Sequence, residues 1–414
     1  MTASADQLDV LARLASDEGR ADPYPIYAWL REHAPVYRGA FDAVLLSRYD
    51  DCAFVLKNAQ SFRGADDAEL AQVFPQATTH PAFAALVTSL VGSSPPKHTR
   101  LRHLVSRDFT PRRVAGLRTG IERFVDRLLA EVAQRLAGGE TVDLHRAVSV
   151  AVPLHVFAEL VGIPEADRPL LAVEVPRFVK VVNPLASPDV ITAADAAIAR
   201  LDVCFDALIA ERRARPREDL VSALVADHDD ESDRLSDEEL RNLLYNLCAA
   251  GFDTTATAID NAMLTLIRHP ETASWLDSAA RTDSFVDEVV RLDAPVQIAP
   301  GIRFATRDVE IGGETVREGT QIRLILGSAL RDPAVYPDPD RFDPARTGPP
   351  SISFGAGIHY CLGTHLAKLE MGILLPALHR RLPGLQLAEP PHRGRSILFR
   401  GFKSLTVRNS RSSI

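Results

Sequence analysis

A mainly α fold with small β-sheets is what this sequence predicts, and three observations carry the expectation. Apolar residues recur at helical spacing along most of the chain. One such stretch runs for about 34 residues, roughly 50 Å at 1.5 Å per residue. Strand-like runs are few, short and bounded by turn residues.

The elements follow in chain order. Tyr24–Glu32 reads as a short helix after Asp22-Pro23, and Pro25 is tolerated in its first turn. Val44–Leu46 reads as a strand. Ile121, Phe124, Val125, Leu128, Leu129, Val132 and Leu136 line one face of a helix, with Glu122, Arg123, Asp126 and Arg127 opposite. Ala193–Arg213 repeats that pattern. Ser236 is a good N-cap, and Glu239 three residues on completes a capping box. The helix it opens continues to His269, where Pro270 stops it. A helix that long crosses a whole domain and belongs at its centre. Val309–Ile311 ends at a Gly312-Gly313 hairpin turn, and Gln321–Leu326 and Leu405–Val407 are further strands. Residues 61–97 and 174–192, the latter with Pro176, Pro184 and Pro188, read as irregular, and Asp229–Asp233 as a surface loop. No linker divides the chain, so residues 1–414 read as a single domain with a β-richer N-terminal portion and a helical core.

Composition narrows the function. The net charge is −8 and no block of Lys and Arg stands out, which excludes a nucleic-acid footprint. No apolar run reaches the length of a membrane span, and Met1–Arg20 carries too many charges for a leader or anchor. A soluble, cytoplasmic monomer is expected. The four cysteines are scattered with no CxxC pair, so neither a disulfide framework nor zinc spacing is present. Cys52, Cys204 and Cys248 read as small buried hydrophobes.

Cys361 differs. It lies among three glycines, in Phe354-Gly355-Ala356-Gly357-Ile358-His359-Tyr360-Cys361-Leu362-Gly363, immediately before a helical pattern. Glycine lets backbone approach something flat or bulky. Helix N-termini favour negative charge, and a cysteine there can be held as thiolate, a soft ligand for iron. Local chemistry alone leaves a buried cysteine in a glycine-rich turn open, and reactive thiols and zinc ligands also use helix N-termini.

The fuller pattern resembles the haem-binding signature of the cytochrome P450 family, Phe-Gly-x-Gly-x-His-x-Cys-x-Gly. All six fixed positions match, an agreement expected by chance at about 10⁻⁸ per start position. The resemblance covers most of the chain. Asp22-Pro23-Tyr24, His98-Thr99-Arg100-Leu101-Arg102, Glu288-x-x-Arg291 and Pro337-Asp338-Pro339-Asp340-Arg341-Phe342 each resemble a family segment. Leu330 and Lys368 depart from it, where Asn and Arg are common. The resemblance implies the cytochrome P450 fold, with the long helix crossing the haem, and haem b bound through the thiolate of Cys361. It sets Phe354, Gly355, Ala250 and Gly251 beside the haem and His98, Arg102, Arg303 and His359 on its propionates. It also implies a buried, structural Glu288–Arg291–Arg341 network.

The middle of the long helix reads Ala249-Ala250-Gly251-Phe252-Asp253-Thr254-Thr255. Gly costs about 1 kcal/mol against Ala inside a helix, and Asp and Thr are weak formers. Residues that break a local rule in mid-element suggest a functional site. A threonine hydroxyl can bond the carbonyl four residues back, here Ala250, and bend the helix. A tolerated kink is the alternative reading. The segment resembles the family's Ala-Gly-x-Asp-Thr-Thr motif, which implies that Thr254 hydrogen-bonds dioxygen and Asp253 relays protons.

The implied activity is monooxygenation: one atom of dioxygen enters a C–H or C=C bond of a lipophilic small molecule, a bacterial secondary metabolite by analogy. Leu86, Val87, Val179, Val182, Ile298, Ala299 and Phe402 are candidate substrate walls, with Phe74, Phe83 and Leu90. No flavin or nicotinamide segment is present, so electrons come from a ferredoxin and its reductase. Two alternatives stay open: a haem-thiolate enzyme of non-hydroxylating outcome, such as desaturation, coupling or peroxide use, and a non-catalytic haem-binding sensor.

Overall fold

A computed structural model of the chain describes residues 9–39, 43–73, 79–87, 90–182, 186–229 and 235–410. It is mainly helical with small sheets. The chain folds into two compact units, each assembled from segments far apart in sequence.

The first unit takes residues 1–65, 260–361 and 391–404. Its five-stranded sheet runs in the order Val36–Arg38, Ala43–Leu46, Gln321–Leu324, Arg303–Ala305, Phe62–Arg63. Only Ala43–Leu46 and Gln321–Leu324 pair in parallel. Successive strand residues face opposite ways, so the register divides the sheet cleanly. Val44, Leu46, Phe62, Ala305, Ile322 and Leu324 share one face and belong to one buried core. Arg303, paired with Ile322, lies on that face; Leu45, Phe304, Gln321 and Arg323 lie on the other. The expected hairpin after Val309–Ile311 is present. Gly312 and Gly313 both take positive φ, 59° and 83°, a turn that side-chain-bearing residues rarely adopt. The Ala279–Leu292 helix buries Glu288 and Arg291.

The second unit takes residues 66–259, 362–390 and 405–414. Its helices include Lys97–Ser106, Arg118–Ala137, Ala151–Val161, Arg168–Val179, Pro188–Ala214 and Thr364–Arg381, with a sheet of Val142–Asp143, Thr406–Asn409 and Leu385–Leu387. The long helix spans Asp237–Arg268 and gives residues 237–259 to this unit. Its start is the capping box the sequence predicts. Glu239 N–H donates to Ser236 Oγ at 3.0 Å, and Ser236 N–H donates to Glu239 Oε2 at 3.0 Å.

Two expectations need correction. Residues 61–97 contain helices at Asp67–Val73 and Pro81–Val87, and 174–192 begins inside the Arg168–Val179 helix. Leu171, Val175, Phe178 and Val179 are buried at helical spacing there, so packing overrides Pro176. Smaller shifts occur at ends: the strand expected to reach Leu326 stops at Leu324, and Leu326–Ala329 is helical. Of the expected Asp229–Asp233 loop, Asp229 closes a helix and the rest lies outside the described residues.

Candidate functional site

The four thiols divide sharply by surroundings. Cys52 and Cys248 are buried, and burial holds both thiols well above their usual range; burial also pushes Cys204 up to about 11. Only Cys361 is exposed. A thiolate ligand has to be reachable, and Cys361 is the most exposed of the four.

The turn that presents Cys361 is built by backbone. Cys361 N–H donates to the Phe354 carbonyl at 2.8 Å, Gly355 N–H to Ile352 at 2.9 Å and Tyr360 N–H to Gly357 at 3.1 Å. Gly357 is required twice over. Its φ is +65°, and a Cβ there would lie 2.3 Å from the Leu56 carbonyl oxygen. The helix expected to start at Cys361 starts at Thr364 with Gly363 as N-cap, so Cys361 sits in the preceding turn. Among the described residues no three His, Cys, Asp or Glu side chains converge as metal ligands.

The sequence-predicted cations fall in both units. In the first, His359 is half-buried on the one-turn Gly357–His359 helix. Arg303 is buried, and its guanidinium donates to the adjacent Ile302 carbonyl at 3.0 Å. No carboxylate among the described residues pairs with it, and burial lowers its pKa to about 10. A buried cation without a counter-charge is costly. An acidic group supplied from outside the chain, such as a propionate, removes that cost, so Arg303 fits the expected cofactor. In the second unit, His98 and Arg102 lie one turn apart on Lys97–Ser106, His98 buried and Arg102 half-buried.

The oxygen-side motif lies on the long helix, which stays α-helical through Ala249–Thr255. Thr254 Oγ1 donates to the Ala250 carbonyl at 2.6 Å, the bond expected from the spacing. Asp253 and Thr254 are half-buried, whereas Thr255 is buried as a packing neighbour. A Cβ built on Gly251 would meet nothing nearer than Phe157 Cδ2 at 3.9 Å. Protein packing therefore does not require glycine there, and its helical cost lacks a structural repayment.

Of the candidate walls, Ile298, Ala299 and Phe402 are buried in the first unit, and Phe402 stacks beneath the Arg393 guanidinium at 3.8 Å. Phe83 and Val179 are buried and Leu86 half-buried in the second. Val87 and Val182 are described only as helical backbone, and Phe74 lies outside the described residues.

The expected Glu288–Arg291–Arg341 network is corrected in its third member. Arg291 Nε and Nη2 donate to Glu288 at 2.7 and 2.8 Å, and Arg346 Nε donates to Glu288 Oε1 at 3.3 Å. Arg341 instead donates to Asp343 at 2.8 Å, and its carbonyl accepts from Arg346 at 2.9 Å. A carboxylate two residues away claims Arg341, a competition that motif spacing does not reveal. A second cluster is not assembled by the sequence motifs, although Tyr24 belongs to one of them. Half-buried Asp293 accepts from Tyr24 Oη at 2.6 Å, Arg393 at 2.6 Å and Arg400 at 2.7 Å. Its members are more than a hundred residues apart in places, so no local signal exists.

Comparison with known proteins agrees with this geometry. The family model described as cytochrome P450 matches residues 31–279 and 281–383. Cytochrome P450 BJ-3 of Bradyrhizobium diazoefficiens is 43% identical over 412 residues, 97% of this chain and 96% of that protein. The cytochrome P450 monooxygenase PikC of Streptomyces venezuelae is 35% identical over 415 residues, covering 98% and 95%. Among solved structures, P450BioI in complex with a hexadec-9Z-enoic acid ligated acyl carrier protein superposes at TM-score 0.86 with 29% identity, over 95% of this chain and 100% of that one.

Proposed function

The chain belongs to the cytochrome P450 family, and from that premise we propose a specific activity for it. It inserts one atom of dioxygen into a C–H or C=C bond of a lipophilic small molecule, using electrons from a ferredoxin and its reductase. The family is one of haem-thiolate monooxygenases, so the cofactor is haem b with a cysteine thiolate as axial ligand. The observation that carries the assignment of Cys361 is its exposure in a glycine-built turn, while Cys52 and Cys248 are buried and Cys204 half-buried.

Haem supplies the redox and oxygen chemistry when bound, and a thiolate ligand favours O–O cleavage. The chain's own residues do the rest. Arg303, His359, His98 and Arg102 take the propionates. Phe354, Gly355, Ala250 and Gly251 allow close approach of the porphyrin. Thr254 holds its hydroxyl proton on the Ala250 carbonyl, which leaves the Oγ1 lone pairs to accept a proton, and a rotation of that hydroxyl delivers one. Asp253, one residue earlier and half-buried, passes protons inward from solvent. Leu86, Val87, Val179, Val182, Ile298, Ala299 and Phe402 supply apolar walls for the substrate. The whole chain, 1–414, acts as one catalytic domain.

A secondary metabolite as substrate is supported by relatives named for such chemistry, including a 6-deoxyerythronolide B hydroxylase 34% identical over 412 residues. Among the described residues no helix is long and apolar enough to cross a membrane. Replacement Cys361→Ser is expected to abolish the thiolate-type absorption of the ferrous–CO complex. An unchanged spectrum would remove Cys361 as the ligand. Labelled dioxygen should appear in the product; its absence would shift the reading to desaturation or coupling.

A further inference from the structure

The sheet of the first unit carries two arginines that pair with no carboxylate among the described residues, and only Arg303 has a role in holding the cofactor. Arg303 and Arg323 sit on adjacent antiparallel strands. The register pairs Arg303 with Ile322, so Arg323 points to the opposite face. The Arg323 side of the sheet also bears Leu45, Phe304 and Gln321, all buried.

Arg323 has no ion pair among the described residues. Gln321 lies beside it, and with the amide turned so that its oxygen faces the guanidinium it accepts from Nε at 3.0 Å and Nη2 at 3.3 Å. A neutral amide satisfies geometry and leaves the charge uncompensated. Three of the five guanidinium N–H groups remain for another acceptor. The side chain is largely enclosed yet not closed off from solvent, and burial lowers its pKa to about 10. Nothing about the sheet itself calls for a cation at this position. The alternation that buries Leu45 and Phe304 on this face would be better served by an apolar residue. Arg63, opposite Phe304 on the edge strand, adds positive charge to the same face, its guanidinium 5.8 Å from the Phe304 ring centre.

We propose that Arg323, oriented by Gln321, is an anion-recognition site that selects lipophilic molecules ending in a carboxylate. The planar fork suits bidentate pairing with a carboxylate, and the half-buried stems of Arg323 and Arg63 offer apolar surface to the adjoining chain. The proposal rests on the monooxygenase reading only in identifying that ligand as the enzyme's substrate; the binding preference itself requires no turnover.

Isothermal calorimetry on the purified holoenzyme tests it with dodecanoate and its neutral analogue dodecanamide. The wild-type protein should bind the acid about 10- to 100-fold more tightly, the scale of a charge-assisted bidentate contact. Arg323→Leu should bring the two ligands to near parity while still binding the amide. It should also fold at least as stably, because it removes a buried charge and strands no carboxylate. Arg323→Lys should keep part of the preference. Equal affinities in the wild type, no dodecanoate binding up to its solubility limit, or a preference that survives Arg323→Leu would each overturn the site. A failure of the haem-thiolate reading would show separately, in the ferrous–CO spectrum, with the calorimetric preference intact.

Discussion

Two groups of buried and half-buried charge in the same unit are treated in opposite ways. Around Glu288 and Asp293 the buried and half-buried arginines are paired: Arg291 and Arg346 with Glu288, Arg393 and Arg400 with Asp293. On the sheet strands Arg303–Ala305 and Gln321–Leu324, buried Arg303 and largely enclosed Arg323 have no carboxylate partner among the described residues. The contrast separates architecture from recognition. Charges that the chain neutralises internally hold elements together; charges left uncompensated are open to an acid from outside. Gly251 obeys the same logic in the second unit. Its helical cost has no packing explanation, unlike Gly357, which the Leu56 carbonyl demands.

The largest effect should come from unpairing the architectural group. Glu288→Gln leaves Arg291, 3% exposed, without its counter-charge, and should cost about 3–5 kcal/mol in urea unfolding. A loss under about 1 kcal/mol would erase the distinction between the two groups.

Next comes Asp293. Burial alone would raise its pKa, but Arg393 and Arg400 outweigh burial and hold the carboxyl well below its usual range. A depressed folded pKa gives stability that is complete above the unfolded value, about 4, and is lost as pH falls below it. Asp293→Asn should therefore cost roughly 1.5–3 kcal/mol at neutral pH, the scale of hydrogen bonds to a charged group. It should also flatten the acid limb of the stability profile. An acid limb identical to wild type would assign that limb to other carboxylates.

Arg303→Leu should behave in the reverse sense. Apoprotein stability should hold or rise, while haem retention in a transfer assay to apomyoglobin weakens about tenfold or more. A destabilised apoprotein that keeps haem at the wild-type rate would place Arg303 with the architectural arginines.

The smallest effect is expected at Gly251→Ala. The added methyl finds open space on the protein side and improves helix propensity, so thermal stability should gain about 1 kcal/mol. Oxygen-dependent turnover should fall, because the methyl occupies room kept for a ligand. Unaltered turnover would return Gly251 to ordinary helix sequence.

Much of this molecule is legible in its residue order. The long helix, its Ser236–Glu239 capping box and the Thr254–Ala250 bond all follow from contacts within four residues, where spacing alone dictates which groups meet. The glycine turn at Cys361 is similarly local, because positive φ restricts the residues that can build it. The helix through Pro176 is not legible in that way, since its stability comes from Leu171, Val175 and Phe178 packing against the rest of the unit.

Sequence by itself thus determined the helical class, the thiol set apart by glycines and the odd residues in mid-helix. Only tertiary structure decided which charges are compensated. It put Arg346 rather than Arg341 on Glu288 and gathered Tyr24, Arg393 and Arg400 around Asp293. It also left Arg303 and Arg323 on opposite faces of one sheet, with no acid among the described residues to meet either. The physical reason is range. Backbone rules act over a few residues, whereas a buried charge is settled by whatever the fold brings within a few ångströms, from any distance along the chain.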